Sequence, residues 1–173
     1  SQDVTAADIV NEEQEKELAD IIFQYGEERW SRRIARGIVE YRGKSRIETT
    51  IELVDIIQHA IPGKYRHGRI HCATRTFQAL RIAVNDELKA LEESLERAIE
   101  MLDVGGRVVV ISFHSLEDRI VKQFFKKMKM RGAGTILTKK PIVPREEEEE
   151  ENPASRSAKL RALEITGSPL HTF

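Results

Sequence analysis

The chain has 173 residues, 40% of them apolar and 33% charged, with a net charge of −1. That length allows one or two small domains with a true core, and a single cysteine, Cys72, excludes an internal disulfide and any cysteine-rich zinc site. No apolar run approaches the ~20 residues of a membrane helix and no signal peptide is visible, so a reducing, cytoplasmic setting without membrane partners is expected. The near-zero charge is regional: outside the glutamate run Glu146 to Glu151, the rest of the chain sums to about +5. The first residue is Ser1 rather than methionine, so a truncated or processed chain is expected.

Thr5 followed by Asp8 starts a short helix. Leu18, Ile21, Ile22 and Tyr25 keep the i, i+3, i+4, i+7 spacing, and Gly26 is the expected terminator. A third helix is predicted from about Glu27 to Tyr41. At about 100° per residue, Trp30, Ile34, Gly37, Ile38 and Tyr41 project to one face and Arg29, Arg32, Arg33 and Arg36 to the other. Such a stripe is either a solvated helix face or a phosphate-contacting surface, since guanidinium forks match phosphate oxygens.

Thr49 with Glu52 opens a fourth helix that buries Leu53, Ile56, Ile57 and Ala60, and Pro62-Gly63 ends it. The segment from Lys64 to His71 is a basic loop around an aromatic. Solvation alone explains many such loops, but Tyr65 offers a ring for a base to stack on, with Lys64, Arg66 and Arg69 beside it. His67 and His71 stand four apart, yet Gly68 between them argues against one helix holding both, and no metal site is expected. Helical spacing then runs from Thr74 to Leu102, a length of about 44 Å at about 1.5 Å per residue. Asn85-Asp86 mark the expected bend. The half after Leu88 reads as a packing helix, whereas Arg75, Gln78, Arg81, Asn85 and Asp86 form a polar ridge suited to a substrate.

Gly105-Gly106 interrupt this pattern, and Val108 to Ile111 form a β-branched run without polar alternation. That run predicts a strand covered on both faces, within a mostly parallel α/β sheet. Ser112, Phe113 and His114 fall where the strand ends. Ser115 with Asp118 resembles a capping box, and Leu116, Ile120, Phe124 and Met128 continue as a helix. In open α/β sheets ligands gather beyond the carboxyl ends of strands, so Ser112 to Asp118 is the expected place for chemistry. A strand-like segment at Thr135 to Thr138, a low-complexity acidic loop at Pro141 to Asn152 and a last strand at Lys159 to Thr166 follow.

The stretch Val110 to Val121 resembles the signature of the RsmH (MraW) family, and three further stretches match it in order: Thr5 to Asn11, Ala73 to Leu88 and Asn152 to Ala162. The resemblance implies S-adenosylmethionine-dependent methylation of N4 of a cytidine in 16S ribosomal RNA of the small subunit. It also implies an α/β fold, part of a class I (Rossmann-like) methyltransferase sheet with an all-helical insert. The insert, the RNA-substrate domain, is expected at residues 5–73, and the carboxyl-terminal part of the α/β domain at 74–166. The family's glycine-rich cofactor loop has no match here. The chain is therefore expected to be a carboxyl-terminal portion with no cofactor-binding residue of its own, its S-adenosylmethionine site in a missing amino-terminal half, and no activity alone. Cys72 stands where the family commonly has proline.

Methylating a cytosine amine requires holding the base, orienting the amine and accepting one of its protons. Ser112, Phe113, His114, Glu117 and Asp118 supply an aromatic, an imidazole and acceptors for that task, with His114 and Glu117 the least explained by structure alone. Arg29, Arg32, Arg33, Arg36, Lys64, Tyr65, Arg66, Arg69, Arg75, Arg81 and Asn85 are the expected RNA contacts. Two other readings stay open at this point: a noncatalytic RNA-binding module, and a structural helical domain with merely solvated basic faces. A strand deprived of its sheet neighbours would also leave an edge that a homo-oligomer could cover.

Overall fold

The computed structural model describes residues 4–66, 68 and 70–167. They form two compact units, Ser1–Glu87 and Leu88–Phe173. The first unit is helical: α1 (Ala6–Glu12), α2 (Glu15–Gly26), α3 (Ser31–Arg42), α4 (Thr50–Ala60) and α5 (Thr74–Asn85), with a 3-10 turn at Gly63–Tyr65. Thr5 and Asp8 cap α1 reciprocally, as do Thr49 and Glu52 for α4, so both expected boxes are present. Leu18, Ile22, Ile34, Ile38 and Ile57 are fully buried in one core. Polar side chains tie the helix ends to it. Arg42 donates to Val10 O at 2.8 Å, in the last turn of α1, and the Asn11 amide pairs with both backbone groups of Ile47 at 2.9 Å.

Two local expectations change in this unit. The third helix starts at Ser31, four residues later than the spacing predicts. The cause is a turn: Glu27 takes the left-handed conformation (φ 49°), and the Glu28 carboxylate accepts from Trp30 N at 2.9 Å. Gly26, in turn, is not the left-handed residue that ends α2. Its value is closeness, because a Cβ there would lie 2.6 Å from Arg75 O on α5. At that crossing Arg75 donates to Glu27 O at 3.2 Å and Gln78 to Tyr25 O at 3.0 Å, satisfying carbonyls that the end of α2 leaves open. Helix α5 thus belongs to the helical unit, which moves the boundary expected after Ala73 to Glu87/Leu88.

The second unit contains α6 (Glu87–Glu100), β1 (Arg107–Ser112), α7 (Ser115–Met130), β2 (Gly134–Ile136), α8 (Glu146–Glu151) and β3 (Lys159–Ile165). The helical run breaks at Asp86 (φ 49°, ψ 39°), at the expected bend. All three strands among the described residues lie in this unit, in the order β1-β3-β2, and every pairing is antiparallel. Val108, Leu163 and Ile165 pack with Leu95, Val121 and Phe125 from α6 and α7. Val109 and Ile111 point the other way and are exposed. The strand is therefore covered on one face, not two, and it sits in an antiparallel sheet rather than a parallel one. Its apolar run is real, but among the described residues no element covers the second face or pairs with the outer edge. The acidic segment also departs from a plain loop, since Glu146–Glu151 is a short helix with no buried residue. Glutamate is a good helix former, and negative charge suits a helix N-terminus. Among the described residues no helix is long and apolar enough to cross a membrane.

Gly26→Ala separates helix propensity from packing. Propensity alone would gain about 1 kcal/mol, whereas the 2.6 Å approach to Arg75 O should produce a net loss of about 1–3 kcal/mol. Urea unfolding decides it, and an alanine variant at least as stable as the parent would contradict the crossing.

Candidate functional site

Strand β1 hands the chain to α7 through Ser112, Phe113 and His114. Ser112 is buried and its hydroxyl donates to Lys159 O at 3.3 Å. The Phe113 ring is 52% exposed. His114 is the N-cap of α7: its Nδ1 accepts from Glu117 N at 3.3 Å. The Glu117 carboxylate reaches back to accept from Phe113 N (2.8 Å) and His114 N (3.2 Å), and its second oxygen lies 3.3 Å from His114 Nε2. The capping box is thus His114–Glu117, one residue ahead of the Ser115–Asp118 box expected, and Ser115 is the first helical residue. An imidazole nitrogen that accepts a hydrogen bond does the work usually given to a hydroxyl or carboxylate. His114 and Glu117 therefore have a structural duty that their sequence spacing did not disclose.

Asp118 faces the sheet instead. It accepts from Arg161 Nε at 2.7 Å and Nη2 at 3.1 Å, with Lys159 Nζ 3.7 Å away. Arg161, on β3, is only 8% exposed. The Arg161 hydrogen bonds, helped by its charge and that of Lys159, outweigh burial and hold the Asp118 carboxyl below its ordinary value. Arg161 was absent from the expected site residues. The available signal was its strand position: alternation sends residues 161, 163 and 165 to one face, so an arginine beside Leu163 and Ile165 needs a buried partner.

In the helical unit the expected RNA contacts separate into two groups. Trp30 and Tyr65 have ring centroids 5.5 Å apart at 46°. The Arg29 guanidinium lies 4.6 Å from the Trp30 centroid and 4.5 Å from that of Tyr65. Arg33 lies 5.6 Å over Trp30 and Lys64 5.0 Å over Tyr65. Trp30 is the N-cap of α3 and is partly buried against the same core as Ile34 and Ile38, on the face the projection gives it, while Arg29 lies over its ring. Arg32 lines a cleft beside Trp30. Arg36 instead stands 3.8 Å from Glu15.

The remaining candidates are tied up locally. Arg66 donates to Ile61 O at 3.0 Å, and Arg75 to Glu27 O. Arg81 forks onto Glu87 at 2.9 and 3.0 Å, joined by Asn85 at 3.1 Å. Arg69, like His67, lies outside the described residues. A larger groove of about 610 Å³ between α3 and α4 is lined by Arg33, Arg36 and Lys44 together with Glu40 and Asp55.

The model of the MraW methylase family matches residues 1–166. "Ribosomal RNA small subunit methyltransferase H" of Sulfurihydrogenibium sp. (strain YO3AOP1) is 60% identical over 161 residues, 93% of this chain and 55% of that protein. The protein of the same name from Synechocystis sp. (strain ATCC 27184 / PCC 6803 / Kazusa) is 57% identical over 164 residues, 95% of this chain and 52% of that protein. That from Nostoc punctiforme (strain ATCC 29133 / PCC 73102) is 58% identical over 161 residues, 93% and 52%. The chain spans about half the length of these curated relatives.

The Asp118–Arg161 pair has a pH signature. A carboxyl depressed in the folded state contributes stability above its unfolded value of about 3.9, and loses it as pH falls through the lower folded value. Thermal midpoints should therefore drop as pH falls below about 4, and Asp118→Asn, less stable at neutral pH, should drop less. Equal acid sensitivity in parent and variant would contradict the pairing.

Proposed function

The chain belongs to the MraW methylase family, and from that premise we propose that it is part of an S-adenosylmethionine-dependent enzyme methylating N4 of a cytidine in 16S ribosomal RNA. The printed name of the relatives supports small-subunit ribosomal RNA as the substrate and methyl transfer as the reaction. The cytoplasm is the corresponding setting. One observation carries the assignment of the site: at the carboxyl end of β1 an aromatic ring, Phe113, is held exposed on a backbone fixed by Glu117 and His114. A ring so placed can stack on the target base, and His114 and Glu117 hold the turn that presents it.

S-adenosylmethionine supplies the methyl group when bound. The β1–α7 turn does not fit the cofactor's nucleoside end. It has no glycine, and the amides of Phe113, His114 and Glu117 are already taken by the capping box. On this proposal the cofactor turn belongs to the roughly half of the relatives' length that this chain does not span. The open edge of β1 and its exposed Val109 and Ile111 fit the same reading, as the border of a class I sheet that continues in that half. The helical unit then serves as an insert that grips RNA.

Calorimetry of the 173-residue chain with S-adenosylmethionine should give negligible binding, and tight binding would refute the division. In a full-length relative, His114→Asn at the matching position keeps an N-cap side chain but removes the imidazole. It should preserve the melting temperature and RNA affinity while lowering the single-turnover methylation rate at saturating RNA. A variant with the parental rate would remove His114 from the site.

A further inference from the structure

We propose that the helical unit carries a stacking platform for unpaired RNA bases, formed by Phe23, Trp30 and Tyr65, with Arg32, Arg33 and Lys64 serving the flanking phosphates. This rests on the reading of RNA as the substrate and specifies how part of it is held. Two clefts, of about 370 and 400 Å³, share Arg29 and Trp30 as a common wall. Tyr65, 38% exposed, lines the first, and Phe23, 59% exposed, lines the second. Aromatic rings and cations therefore interleave along one strip, the composition that holds single strands without regard to sequence.

The cations divide by position. Arg29 lies over Trp30 and Tyr65 together, which makes it a brace for the two rings. Lys64 and Arg33 each lie over one ring at 5.0 and 5.6 Å. An arriving base takes the ring face from one of them, and its long side chain can then meet the neighbouring phosphate. Glu28, 6% exposed, lines the first cleft together with Arg29 and Arg75 and fixes Trp30 through its amide. Its charge offsets part of the cationic charge of that wall, so the rings are what sets this cleft apart from a plain phosphate site. Duplex RNA cannot use the platform, because paired bases are already stacked on their neighbours.

Trp30 is the sole tryptophan, so intrinsic fluorescence reports on the platform directly. The 173-residue chain is titrated with an end-labelled single-stranded oligoribonucleotide, following label anisotropy and Trp30 emission together. Parallel titrations use a duplex of the same length and inorganic polyphosphate. The single strand should bind and quench Trp30, while polyphosphate should leave the emission unchanged. Tyr65→Leu should weaken single-strand binding by about 5- to 150-fold, the range of one lost base–aromatic stack, with its salt dependence unaltered. Tyr65→Phe should restore it, and Arg32→Gln should instead lower the salt slope by about one. Single-strand binding without quenching, or equal affinity in Tyr65→Leu, overturns the platform and leaves RNA as the substrate. Failure of every RNA to change the anisotropy at low salt removes both. Should Tyr65→Leu not fold, the quenching comparison on the parent chain decides alone.

Discussion

Arg161 reaches from β3 to the Asp118 carboxylate, and the second unit is arranged around that bond. A guanidinium only 8% exposed would be strongly destabilising without its partner. Strand β3 is the middle strand of three, so the pair links the centre of the sheet to the first turn of α7. One residue before Asp118, Glu117 binds the amides of Phe113 and His114. The path from a buried ion pair to an exposed ring is thus three short steps through four residues: Arg161, Asp118, Glu117, Phe113. A loop could also expose an aromatic, but it would not hold the backbone beneath it at three points.

The helical unit follows a different rule. Its helices are closed by backbone contacts that need small or polar residues at particular places. Gly26 lets α5 approach, and Arg75 and Gln78 then use their polar groups on the carbonyls at the end of α2. Arg81 and Asn85 converge on Glu87. Side chains engaged in this way are poorly free to meet a substrate. The candidates outside this bracing are Arg29, Arg33, Lys64 and Tyr65, which meet one another through ring contacts, and Arg32, which has no ion-pair partner among the described residues.

Periodicity made most of the elements legible: α1, α2, α4, the break at Asp86, α7 and the segments that become strands. Local chemistry made two capping boxes legible, since Thr with an acidic residue three positions on has few other meanings. The third box was hidden because histidine is an unusual cap, and the neighbouring Ser115–Asp118 pair offered the more familiar pattern. Burial on both faces of β1 was read from an apolar run, but such a run states what a strand can bury and not what is present to bury it. The start of α3 is not legible in the periodicity, because a left-handed Glu27 creates a turn ahead of it, although Trp30 still packs beside Ile34 and Ile38. The polar ridge of α5 looked functional because its partners lie up to 53 residues away in sequence. The family was readable throughout, as motifs persist where tertiary pairings do not show.

The double-mutant cycle of Asp118→Asn and Arg161→Met, measured by urea unfolding, tests this arrangement most directly. If the pair holds α7 to the sheet, each single variant is destabilised and the two changes are far from additive, with a coupling of about 1–3 kcal/mol. Additivity within about 0.5 kcal/mol would mean that the two side chains do not depend on each other. The account of how Phe113 is held at the end of β1 would then be wrong.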